Sequence, residues 1–226
     1  MYTNYNIDME RIIYHGSEFI IEKPLYGKGN IHNDYGLGFY CCSNKELAKE
    51  WAAKKTGSGF INKYSIRDDR LKILDLTKPP HNDVLHWIAL LMHNRELSSD
   101  LKDNFPKELK YLEEKYLIDV SDYDIVIGYR ADDSYFRFPE SFVRSEITLE
   151  SLNKIFQAGD LGKQYVLTSQ RAFNLVHFLS YEEAFEQSKI DYYKRKSGAD
   201  KLYADLLKED RYSKGTRLRD LITDYE

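Results

Sequence analysis

Residues 35–52 read YGLGFYCCSNKELAKEWA, and no other stretch of the chain restricts the fold as much. Two glycines, Gly36 and Gly38, precede the aromatic run Phe39 to Cys42, whose residue types favour a strand. Ser43 and Glu46 then fit a capping box, so a helix begins right after the strand. On that helix Leu47, Ala48, Trp51 and Ala52 share one face. Ala48 lies one turn before Trp51 and leaves room beside the indole for a flat guest, with Tyr40 at the strand end closing the other side.

The remaining elements are mixed rather than strictly alternating. Strands are predicted over 11–14, 60–66, 71–76, 124–129 and 164–169, and helices over 82–95 and 106–116. A further helix runs from a Thr148 cap to Gln157 with a stop at Gly159, and another from Ser169 to Leu179. This order predicts an α+β protein with a mixed or antiparallel sheet, not a doubly wound parallel one. The 226 residues suit one domain over 1–180 with a charged, helical C-terminal extension over 181–226.

Composition removes several function classes. No apolar run reaches the roughly 18 residues of a membrane span, and the opening MYTNYNIDME lacks a signal-peptide core. Cys41 and Cys42 are adjacent, so no disulfide framework is expected and a cytoplasmic location is. A net charge of −4 argues against a broadly basic nucleic-acid binder, although KRKSGADK (194–201) is a local basic stretch. Nineteen tyrosines exceed what a core of this size requires, and some are expected to line a surface for a planar ligand.

Three stretches carry chemistry. In YHGS, His15 ends a strand and is followed by Gly16, whose bare backbone a ligand can approach, and by the Ser17 hydroxyl. The second is the Tyr40–Trp51 stretch. In the third, GKQYVLTSQRAF, Gln164 opens a strand that runs into a helix. The loop RADDSYF adds Arg130, Asp132 and Asp133 as candidate substrate contacts, with Glu18 and Glu22 as weaker carboxylates. His81, His86 and His93 lack a carboxylate or cysteine at ligand spacing, so no metal site is expected.

In order, these stretches resemble the diphtheria-toxin and poly(ADP-ribose)-polymerase class of ADP-ribosyltransferases, whose pattern is a His on one strand, a Tyr on a second and a Glu opening a later one. They also resemble small bacterial relatives found beside antitoxin-like genes. The resemblance spans about Arg11 to Leu179 and implies a split sheet around a cleft for NAD as co-substrate, with no metal. It implies catalytic roles for His15, Tyr40 and Gln164, and places nicotinamide between Tyr40 and Trp51 beside Ala48. Gly16 would hold the carboxamide through its backbone, while His15 and Ser17 would hold ribose hydroxyls. Gln164 stands where the polymerases have glutamate; it keeps a hydrogen bond but not the charge, so chain elongation is not expected. The implied activity is mono-ADP-ribosyl transfer to a protein, RNA or DNA acceptor by a toxin or phage-defence effector with a cognate antitoxin partner. The alternative is an inactive module that binds NAD, ADP-ribose or a partner. A tRNA 2′-phosphotransferase is disfavoured, because no phosphate-binding basic set is visible near His15.

Overall fold

The computed structural model describes residues 10–131, 135–157 and 162–223. Strand β1 (Glu10–Ser17) leads through a long connection to β2 (Phe39–Cys42) and helix α1 (Lys45–Ala53). Strands β3 (Gly59–Arg67) and β4 (Ile73–Asp75) follow, then α2 (Val84–Asn94), α3 (Ser99–Asn104) and α4 (Pro106–Tyr116). Next come β5 (Ile125–Tyr129), α5 (Arg137–Val143), α6 (Leu149–Gln157), β6 (Lys163–Leu167) and α7 (Gln170–Leu175). The described chain closes with β7 (Val176–Ala184), α8 (Glu186–Asp210) and α9 (Leu218–Thr223).

The strands form one seven-stranded mixed sheet in the order β4-β5-β6-β2-β1-β3-β7, so the protein is α+β. Only β4 and β5 run parallel. Alternation along each strand divides the side chains between two faces. Phe39, Cys41, Tyr165, Leu167, Ile125 and Ile127 pack on one face with Ala172 and Phe173 of α7. Val126 and Val166 point the other way, into the largest cluster, built around the almost wholly buried α2. Among the described residues no helix is long and apolar enough to cross a membrane.

One seam in the sheet is weak. Strands β1 and β3 pair from Glu10↔Arg67 to Ser17↔Phe60, and β2 and β6 pair along all of β2. Between them, β1 and β2 share the single register pair Tyr14↔Cys42. Beyond that pair the strands part, and a cleft opens in the middle of the sheet.

Helices α3 and α5 fall where the sequence reading places no element, and two predicted elements are altered. The expected helix 169–179 stops at Leu175, and residues 176–184 form β7 on the edge of the sheet beside β3. Val176 and Phe178 alternate inward against His177 and Leu179, and pairing with β3 outweighs local helical preference. The predicted boundary at 180 therefore falls inside a strand, and the charged helix starts at Glu186 instead of Tyr181. The second difference is the start of α1, where Asn44, not Ser43, accepts the capping bond from the Glu46 amide at 2.9 Å. Gly159 lies outside the described residues.

The C-terminal helices complete the core. Ala199 and Leu206 of α8 and Leu218 of α9 belong to the same cluster as α2. Arg195 Nε lies 2.8 Å from Glu50 and ties α8 to α1. At the other end the buried Asp210 carboxylate accepts from the Thr148 amide at 2.7 Å and the Ser151 hydroxyl at 2.8 Å, closing the N-terminus of α6. Asp210→Ala leaves these buried donors without their acceptor and should lower stability by about 2–3 kcal/mol, read as a shift in the denaturant midpoint. An unchanged midpoint would mean that the tail does not hold α6.

Candidate functional site

The seam between β1 and β2 is bridged by a side chain. His15 Nδ1 lies 2.7 Å from the Tyr40 carbonyl oxygen, where a continuous ladder would supply a backbone amide. A carbonyl only accepts, so Nδ1 carries the proton and neutral His15 keeps an acceptor lone pair on Nε2. The ring stacks against Phe39 at 4.4 Å between centroids. Burial lowers the His15 pKa from 6.5 despite the opposing bond to Tyr40, so the neutral form dominates at neutral pH.

Tyr40 forms a wall of the same cleft. Its hydroxyl donates to the Gly36 carbonyl at 2.6 Å and accepts from the Tyr35 amide at 3.0 Å. Burial raises its pKa, so the phenol stays protonated and holds the turn ahead of β2. Gly36 is required there, with φ +74° and the Asn94 side-chain oxygen 2.9 Å from where a Cβ would stand.

Gln164 reaches the cleft from β6. It lies opposite Cys42 of β2 on one side and Gly128 of β5 on the other. Its Oε1 is buried without a hydrogen-bond partner among the described residues. A buried amide oxygen in that state calls for a donor, and a ligand hydroxyl in the cleft would supply one. His15, Tyr40 and Gln164, from three strands far apart in sequence, thus line one cavity of about 500 Å³, with Gly16, Ala48 and Trp51.

The structure changes the expected roles of several residues. Gly16 is set by packing: a Cβ there would come within 2.1 Å of the Ala48 carbonyl oxygen on α1. Ser17 does not line the cleft; it donates to the Phe19 carbonyl and accepts from Asn62 at 3.1 Å. Trp51 is not core but 43 % exposed, off the face that buries Leu47, Ala48 and Ala52. The Arg130 guanidinium and the Lys54 ammonium each lie 4.7 Å from its ring centroid. The indole assigned to a cationic nicotinamide therefore already carries two cations. Asp132 and Asp133 lie outside the described residues. Glu18 pairs with Lys55 at 3.2 Å, and neither it nor Glu22 lines the cleft.

Four charged residues of the cleft have no counterpart in the sequence reading: Lys23, Lys28, Asp34 and Arg95. Buried Asp34 accepts from Arg95 at 2.8 Å and from the Ala131 amide at 3.0 Å, pinning the β1–β2 connection to the end of α2 and to the chain after β5. Desolvation raises the Asp34 pKa, with Arg95 pulling it back. No local pattern marks this pair, whose members stand 61 positions apart. Outside the cleft, His86 Nδ1 lies 2.8 Å from the Tyr116 carbonyl oxygen and His93 lies 3.4 Å from Glu113.

The lowered His15 pKa has a definite sign. In the interval between the folded value and 6.5, the unfolded chain takes up a proton that the folded chain refuses, so stability falls as pH drops through that interval. In an NMR titration the His15 ring should protonate with a midpoint below 6.5, whereas a midpoint at or above it would contradict the buried neutral assignment.

Residues 11–178 match the family model described as "Protein of unknown function (DUF3990)". No curated protein and no solved structure matches the chain.

Proposed function

The chain belongs to the DUF3990 family, and we propose for it an NAD-dependent mono-ADP-ribosyl transfer to a macromolecular acceptor. The observation that carries the reading is the convergence of His15, Tyr40 and Gln164 on one cleft at the parting of β1 and β2. The unsatisfied Gln164 oxygen supports a hydroxyl-rich ligand such as a ribose.

The chemistry follows from what each group can do. His15 Nε2 accepts from one ribose hydroxyl, and Gln164 Oε1 accepts from another. The Tyr40 ring gives the nicotinamide a flat wall. Heterolysis of the nicotinamide–ribose bond sends its electron pair to the ring nitrogen, neutralises the pyridinium and leaves an oxocarbenium-like ribose. The acceptor's nucleophile attacks that carbon and loses its proton to water. Gln164 contributes no charge to this state, so the rate depends on positioning and on the acceptor's own reactivity. A toxin or defence role with an antitoxin partner accords with the resemblance of the three motifs to small bacterial enzymes of that kind.

A second reading, transfer of a 2′-phosphate from RNA, gains support from a specific observation. The basic residues Lys23, Lys28, Arg95 and Arg130 line the same cleft as His15. That reaction would require a 2′-phosphorylated RNA as the phosphate donor, with the ADP-ribose part of NAD receiving the phosphate and nicotinamide leaving.

The test is nicotinamide release from NAD by the purified protein, with and without a cell extract containing protein and RNA. We expect release that needs the extract and falls about ten- to a hundredfold in His15→Ala and in Gln164→Ala, the effect of losing one hydrogen bond in a desolvated site. Extract-independent release would identify an NAD glycohydrolase. Bound NAD with no release under any condition would overturn the enzyme reading in favour of a binding module.

A further inference from the structure

Asn62 lies directly opposite His15 in the β1–β3 ladder, so the two side chains share one face of the sheet. It is fully buried. A buried amide is costly unless both its ends are bonded, so its partners identify its task. Asn62 Oδ1 accepts from the Ile21 amide at 2.8 Å. Its Nδ2 donates to the Ser17 hydroxyl and the Phe19 carbonyl, both at 3.1 Å, with the His15 carbonyl oxygen at 3.4 Å. Three oxygens on one side and an amide nitrogen on the other fix which way the group is turned.

All of these partners belong to the end of β1 and the chain that leaves it. Ser17 adds a bond to the Phe19 carbonyl, and the buried Tyr64 of β3 donates its hydroxyl to the Ile21 carbonyl at 2.5 Å. The Tyr64 ring meets Phe39 edge-on, and Phe39 in turn packs on the His15 ring. Residues 15, 17, 19 and 21 are thus fastened to β3 by the side chains of Asn62 and Tyr64. Ile21 is also where the β1–β2 connection begins to line the cleft, followed by Lys23, Pro24 and Leu25. The fastening ends where the wall starts.

We infer that Asn62 is a positioning residue for the cleft: by holding Ser17 to Ile21 against β3, it sets where the wall from Ile21 to Leu25 stands relative to His15. Asn62 does not itself line the cleft, so it acts through the wall it holds. That this wall lies against NAD rests on the proposed function; the fastening does not. The Ser17 hydroxyl is then a link in the fastening instead of a ribose contact.

Two variants test this, read by amide hydrogen exchange and by NAD turnover. Asn62→Ala removes the whole set of bonds. Tyr64→Phe removes one hydroxyl and keeps the ring packing, so it serves even where the first variant folds poorly. Exchange across 18–25 should speed up at least about fivefold in both, while 61–66 stays protected. KM for NAD should rise at least about fivefold with kcat within about twofold, because the wall binds the substrate without touching the reacting bond. A lower denaturant midpoint with exchange and KM unchanged would make Asn62 merely structural and overturn the inference, as would a loss confined to kcat. If the wild-type protein neither binds nor cleaves NAD, the proposed reaction falls, and the exchange result still decides whether Asn62 holds the wall. If all three proteins cleave NAD with the same KM, the reaction stands and the inference falls.

Discussion

Everything at the cleft depends on how closely α1 lies on the sheet. A Cβ at Gly16 would stand 2.1 Å from the Ala48 carbonyl oxygen and 2.8 Å from the Ala52 amide nitrogen, and one at Gly59 would stand 2.4 Å from the Ala52 carbonyl oxygen. Backbone meets backbone at both points, so no side-chain rotation could relieve a clash. The glycines on β1 and β3 and the alanines on α1 let the helix press onto the strands. This contact brings Ala48 and Trp51 to the cleft. On its outer side α1 is held by α8 through Arg195 and Glu50, and Lys54 lies over both Trp51 and Tyr192 of α8. The C-terminal helix thus contributes to the site without lining it, although it lies beyond the matched residues 11–178.

The second physical theme is desolvation balanced by one well-placed partner at a time. His15 is partly buried, held neutral and oriented by the Tyr40 carbonyl. Asp34 is buried and answered by Arg95 and a backbone amide. The Tyr40 phenol is satisfied on both sides by its own turn. Gln164 Oε1 departs from this pattern, and it does so inside the cavity. Unsatisfied buried polarity concentrated in a cleft is what a ligand-binding wall looks like before its ligand arrives.

Local signals were readable where local physics decides. Helices α2 and α4 appear close to the ranges 82–95 and 106–116 that helical spacing gives. The strand, turn and helix of 35–52 place Tyr40, Ala48 and Trp51 on one cavity. What escaped the sequence is long-range. Strand β7 exists because β3 offers it an edge. The Asp34–Arg95 pair forms only once the β1–β2 connection meets the end of α2. The stacking of Arg130 on Trp51 joins α1 to the chain just after β5, which periodicity does not encode. Lys23, Lys28 and Arg95 were invisible as cleft residues for the same reason, because they are scattered along the chain.

The most direct test of the account is a crystal structure with a non-cleavable NAD analogue whose glycosidic link is carbon. The account predicts the nicotinamide beside Tyr40 and ribose hydroxyls on His15 Nε2 and Gln164 Oε1. An analogue seated away from the β1–β2 seam, or lying in the cleft with its ribose hydroxyls distant from His15 and Gln164, would contradict it.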